Sequence, residues 1–217
     1  MWSDLFYPDN PKRREELIRK SQQFQDLMDN NFRATNQLID VMNKHLNCSF
    51  QHITLNVDDS LQENCNVLID CMHKIQAVVE KIDKELKEKL DPTLYEKLRN
   101  KSLLPEDFKL VSNVVEAVCG VGTVAATTVI CILIHTEDIL VNLVSQIGKF
   151  AAGTLASVGL GVVFMGIDMI VEAILGSIER DNLEKALKEY DEALKEFKPA
   201  SEKYQDNITY VRIKIEE

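Results

Sequence analysis

The sequence predicts an all-α protein in which long amphipathic, coiled-coil-type helices flank a central apolar segment, either a transmembrane helical hairpin or a single span. Three observations carry this. Apolar residues recur at alternating spacings of four and three on both sides of the centre. All eight glycines lie between Leu110 and Ile178. Within that stretch, Ala117–Thr136 and Phe150–Ile167 hold no formally charged residue. At 1.5 Å of rise per residue each run is about 27–30 Å long, near the hydrocarbon thickness of a bilayer.

Composition divides the chain in the same way. Residues 1–109 are read as N-terminal helical arms, 110–178 as the apolar membrane segment and 179–217 as a C-terminal coiled-coil helix. The flanks are rich in Lys, Glu, Asp and Gln and contain no glycine. A net charge of −10 argues against nucleic acid, which needs a concentrated basic surface. The one tight basic cluster, Lys12-Arg13-Arg14, precedes Glu15-Glu16 and reads as a solvated first helical turn. The acidic opening Met1-Trp2-Ser3-Asp4 does not resemble a signal peptide. Five cysteines, two of them inside the apolar segment, do not make a disulfide framework, and a reducing, cytosolic setting for the arms follows.

Asn10 can cap a helix over about 11–46 that starts on Pro11, since proline lacks only an N–H that would be unpaired there. Its seam is Leu17, Ser21, Phe24, Met28, Asn31, Thr35, Leu38, Met42 and His45, diluted by polar members. From Cys48 to Asp59 the pattern alternates, and a loop is favoured over an isolated strand. This loop is expected to return the chain as an antiparallel hairpin. Ser60-Leu61-Gln62-Glu63 has the form of a capping box and opens a helix over 60–90. Its seam of Leu61, Cys65, Leu68, Met72, Ile75, Val79, Ile82 and Leu86 is almost wholly apolar, the stronger coiled-coil signature. Asp91-Pro92 interrupts it, a short helix covers 92–100, and Leu104-Pro105-Glu106-Asp107 starts another. The C-terminal seam runs Leu183, Leu187, Tyr190, Leu194, Phe197, Ser201, Tyr204, Ile208, Val211 and Ile215. Pro199 interrupts it without a change of phase, which predicts a bent helix or two collinear ones.

In the centre, small residues recur every fourth position: Gly148, Ala152 and Ala156 on one row, Gly153, Ser157 and Gly161 on the next. Such rows let helix backbones approach closely in lipid. The spans fall on 117–136 and 150–171, with Glu137, Asp138 and Lys149 between or beside them. Lysine and arginine lie outside both ends, so two spans would leave all arms cytosolic. A single span at about 151–171 would put the last arm across the membrane from the others. Asp168 and Glu172 share a helix face and suit a hydrated interfacial end. No nucleotide, zinc or catalytic-triad spacing stands out; Gly120-Val121-Gly122-Thr123-Val124-Ala125 lacks the preceding strand that a dinucleotide site needs. An enzyme, a cofactor and a small-molecule substrate are therefore not expected.

Four segments resemble a known family. Tyr7-Pro8-Asp9-Asn10-Pro11-Lys12-Arg13-Arg14-Glu15-Glu16, Asp91-Pro92-Thr93-Leu94-Tyr95, Gly166-Ile167-Asp168-Met169-Ile170-Val171 with Ala173-Ile174-Leu175-Gly176, and Ala200-Ser201-Glu202-Lys203-Tyr204 are similar, in matching order, to the vertebrate single-pass membrane and coiled-coil domain-containing proteins. The resemblance implies a membrane protein with coiled-coil arms and one span, best matched to about 151–171. It carries over no catalytic residue. The expected function is a non-enzymatic anchor or interaction scaffold whose partners are the lipid bilayer and either a second copy or another helical protein. The alternative is a two-state, membrane-inserting protein, similar in architecture to helical pore formers, whose arms shield the apolar hairpin when soluble.

Overall fold

A computed structural model describes residues 10–151 and 180–216. All regular structure among them is helical: α1 (Asn10–His45), α2 (Leu61–Lys89), α3 (Pro92–Arg99), α4 (Pro105–Cys119), α5 (Val124–Ala151) and α6 (Arg180–Glu216). The charge-free run Phe150–Ile167, most of the expected span 150–171, and Asp168 and Glu172 fall largely or wholly outside the described residues.

The helix starts follow from local chemistry. Ser60 and Glu63 form a reciprocal box at the head of α2: the Glu63 N–H donates to Ser60 Oγ at 3.2 Å and the Ser60 N–H to Glu63 Oε2 at 2.8 Å. Asp91 caps α3 by accepting from the Thr93 N–H at 2.9 Å. At α4, Pro105 takes the first helical position. Leu104 offers no side-chain acceptor, so only the returning half of a box exists there, the Leu104 N–H donating to Asp107 Oδ2 at 2.9 Å.

The chain forms two compact units: Met1–Phe32, Thr54–Ile69 and Leu143–Glu202 make the first, Arg33–Ile53, Asp70–Asn142 and Lys203–Glu217 the second. In the first, α1 and α6 run parallel. Arg13 pairs with Glu184 at 2.9 Å, Lys20 with Asp191, and Asn31 Nδ2 donates to Ser201 Oγ at 3.0 Å. Phe24 stacks on Phe197 with centroids 4.9 Å apart. In the second unit the same pair of helices meets at Thr35 and Tyr204, hydroxyl to hydroxyl at 2.8 Å. Arg13 is thus half of an interhelical ion pair as well as part of the first turn of α1.

The segment between α1 and α2 is a loop, as expected, but it does not make an antiparallel hairpin of the two helices. Within the second unit it runs back along α1. The Asn43 amide bonds both main-chain groups of Phe50, and the Asn36 amide both main-chain groups of Ile53, at 2.8–2.9 Å. The reversal is used up before α2 begins, so α2 runs parallel to α1. Cys71 lies in electrostatic range of Tyr204, the partner of Thr35, and Gln76 and Val79 share a small space with Leu38. Further along, Cys119 feels both Cys48 and Glu85.

The run Ala117–Thr136, expected as one span, is broken. α4 ends at Cys119, Gly120 adopts φ 72°, and α5 starts at Val124. A positive φ is open to glycine at little cost and ends a helix in the left-handed form. At Gly122 a Cβ would lie 2.8 Å from Glu116 Cβ, so the close turn needs glycine there too. Conversely, Glu137, Asp138 and Lys149, read as lying between spans, are inside continuous α5. α6 also continues unbroken through Pro199. Proline cannot donate to the carbonyl of Lys195, and its exposure leaves water to do so.

Candidate functional site

The feature that sets this molecule apart is α5. From Val124 to Lys149 it is long and apolar enough to cross a membrane, with a mean hydropathy of 1.8, and 44% of the most apolar window is buried within the chain. Burial and polarity are distributed unevenly along it. In its first half Ala126, Thr127, Val129, Ile130, Cys131, Leu133 and Ile134 are all buried. In its second half burial narrows to Leu140, Leu143 and Ile147, while Asp138, Asn142, Ser145 and Lys149 face solvent. A helix presenting its surface to lipid would do the reverse, because an unpaired polar group in hydrocarbon costs several kcal/mol (about 2–7 by transfer). In this form α5 packs as an amphipathic helix, though Val124 and Val141 are also exposed on it.

Its polar groups are also tied in. His135 Nε2 donates to the Leu98 carbonyl at the end of α3, 2.6 Å away. Thr128 and Thr136 return their hydroxyls to carbonyls of α5 itself, and Thr127 to the Thr123 carbonyl just ahead of it. In the first unit Lys149 pairs with Glu196 of α6 at 2.8 Å, and this lysine holds the Glu196 carboxyl below its usual range.

The second unit holds a half-open cavity of about 280 Å³ between the α3–α4 connection, α5 and α6. Leu98, Leu103, Phe108 and Ile132 supply apolar lining; Lys101, His135, Tyr210 and Lys214 are among its polar groups, with Thr128, Thr136 and Asn207. Sequence reasoning gave none of these a role. His135 stands in an apolar run; Tyr210 and Lys214 are four residues apart on α6, but Lys101 and His135 join them only through the packing of distant elements, which no local spacing marks.

The residues singled out from the sequence distribute as follows. Leu68, Met72, Ile75, Val79, Ile82 and Leu86 of α2 are buried, as are Tyr190, Leu194, Phe197 and Tyr204 of α6, and Leu187 is half-buried. The side chain of Leu61 is outside the described ones. Cys65 is buried as well, and burial pushes its thiol up to about 12, the behaviour of an inert core cysteine. Gly148 is half-buried, and a Cβ there would meet nothing within 4 Å, so no backbone closes on it among the described residues. Ala152, Gly153, Ala156, Ser157 and Gly161 lie outside the described residues.

No solved structure matches this chain. A family model described as "Protein of unknown function (DUF4533)" matches residues 13–152, from the first turn of α1 to just past the end of α5, with α6 beyond it. Since that match takes in more than half of the sequence, the chain belongs to the DUF4533 family.

Proposed function

We propose that this chain is a non-enzymatic helical scaffold that associates with a bilayer through its glycine-bearing centre, and that the paired form of α1 and α6 and a membrane-crossing form are alternative states. The observation that carries this is the α1–α6 pairing, made by Arg13–Glu184, Asn31–Ser201 and Thr35–Tyr204. Paired helices must lie on one side of a membrane. A single crossing at about 151–171 separates them. The stretch 152–179 is too short for two crossings of about 20 residues each, and α5 is engaged as a core helix. In the paired form the helices lie together on the cytosolic side, and the seams of α2 and α6 are covered within the chain. In the crossing form α6 is released, and its exposed apolar stripe becomes available to a second copy or another helical partner.

A second reading is a permanent single-span anchor at about 151–171, favoured by the charge-free run Phe150–Ile167 and the resemblance to single-pass membrane proteins. The two separate under a covalent lock. Cysteines at Asn31 and Ser201 joined by a short thiol cross-linker tie α1 to α6. The locked protein is expected to be extracted from membranes by alkaline carbonate, and the unlocked protein to be partly retained. Retention of the locked protein as complete as that of the unlocked form defeats the two-state proposal. Glycosylation tags at residue 1, near Glu137 and at residue 217 report the side of each segment.

A further inference from the structure

We infer that the cavity between the α3–α4 connection, α5 and α6 is a binding site for an anionic single-chain amphiphile, a medium-length carboxylate in the first instance. Charge gives the first argument. The chain carries a net −10, yet the described residues lining this cavity include Lys101 and Lys214 and no carboxylate. A cationic cavity in an acidic protein selects its ligand by sign.

The second argument is the order of the lining. Lys101, Tyr210 and Lys214 are exposed, which places the cations and the phenol at the mouth, with Lys214 Nζ 6.0 Å from the Tyr210 ring centre. Cys131 and Leu98 are buried behind them. His135 commits Nε2–H to the Leu98 carbonyl, so that donor is spent within the fold and the two lysines are left as the cationic groups of the lining. A charged head held at the mouth with an apolar tail directed inward satisfies both parts. Size narrows the class. About 280 Å³ is at the small end of the roughly 300–1,000 Å³ of ligand cavities, suited to one chain and not to a two-chain lipid. All the lining belongs to one compact unit; Asn207, Tyr210 and Lys214 are on α6, so the site belongs to the paired form, and binding by the chain in solution reads it whether or not a crossing form exists.

The test is calorimetric titration of the full chain with dodecanoate below its aggregation concentration, against dodecanol and inorganic phosphate. Saturable binding of dodecanoate is expected, with dodecanol weaker by at least about ten-fold, the scale of a charged hydrogen bond. Lys101→Asn with Lys214→Gln removes both charges at exposed positions; asparagine suits the φ of 56° at residue 101. This variant should bind dodecanoate about ten-fold or more weaker with an unchanged helical circular dichroism spectrum. Ile132→Trp fills the cavity and should abolish binding. Equal affinity for dodecanol, undiminished binding by the double variant, or displacement of dodecanoate by equimolar phosphate overturns the inference.

Discussion

The carboxylate of Asp107 ties α3 to the start of α4. It accepts from the Leu104 N–H at the start of α4 and from Lys97 Nζ of α3 at 3.1 Å, and these bonds hold its carboxyl below the ordinary 3.8. A depressed folded pKa stabilises the fold above the unfolded value, and that contribution disappears as pH falls through the folded one. Asp107→Ala should therefore lower the urea midpoint fully at pH 6, and its difference from wild type should shrink from about pH 4 downward. A difference unchanged between pH 6 and pH 2 would show that the residue acts by packing alone. The helix start was legible in the sequence, since Pro105 and the acids after it mark a first turn, but the return bond to Asp107 was not. The lysine partner was not, because Lys97 reaches it across a connection whose path only the fold sets.

Among the elements, α1 and α6 depend on a short polar ladder in an otherwise apolar seam. Thr35 and Tyr204 are almost completely buried, and burial raises the Tyr204 phenol far above its usual range. Thr35→Val keeps the shape and strands the Tyr204 hydroxyl, at a cost of about 1–3 kcal/mol. Adding Tyr204→Phe removes the stranded group, so the double variant should be more stable than the sum of the two single losses. Urea unfolding of the four proteins measures this coupling, and strict additivity would mean that the hydroxyls do not support each other. The seams themselves were readable from their four-three spacing, because each helix carries its own apolar stripe. Helix direction was not readable. Whether α2 runs with or against α1 is decided by Asn36 and Asn43, whose amides hold the connecting strand of chain against the helix that precedes it. In the sequence these are two ordinary polar residues. The hydropathy of α5 was equally ambiguous, since a core helix and a membrane span have the same apolar content and differ in where Asp138, Asn142 and Lys149 point.

For the whole molecule, the pairing of α6 with α1 and the crossing of 151–171 draw on the same helix, so each must weaken as the other gains. A two-state equilibrium moves by the free energy removed from one side, ten-fold for about 1.4 kcal/mol. Thr35→Val weakens the paired state and leaves the glycine-bearing centre untouched, so it should raise the ratio of carbonate-resistant to extractable protein by about five-fold or more. Tyr204→Phe added to it should return part of that change, in proportion to the stability recovered in urea. Lys198→Ala with Glu202→Ala is the control: it removes an exposed i,i+4 pair of α6, worth about 0.3–0.5 kcal/mol, and should leave the distribution almost unaltered. Should Thr35→Val lose stability in urea yet partition between membrane and supernatant as wild type does, pairing and insertion are not linked, and α6 reaches its place by a route that does not compete with the bilayer.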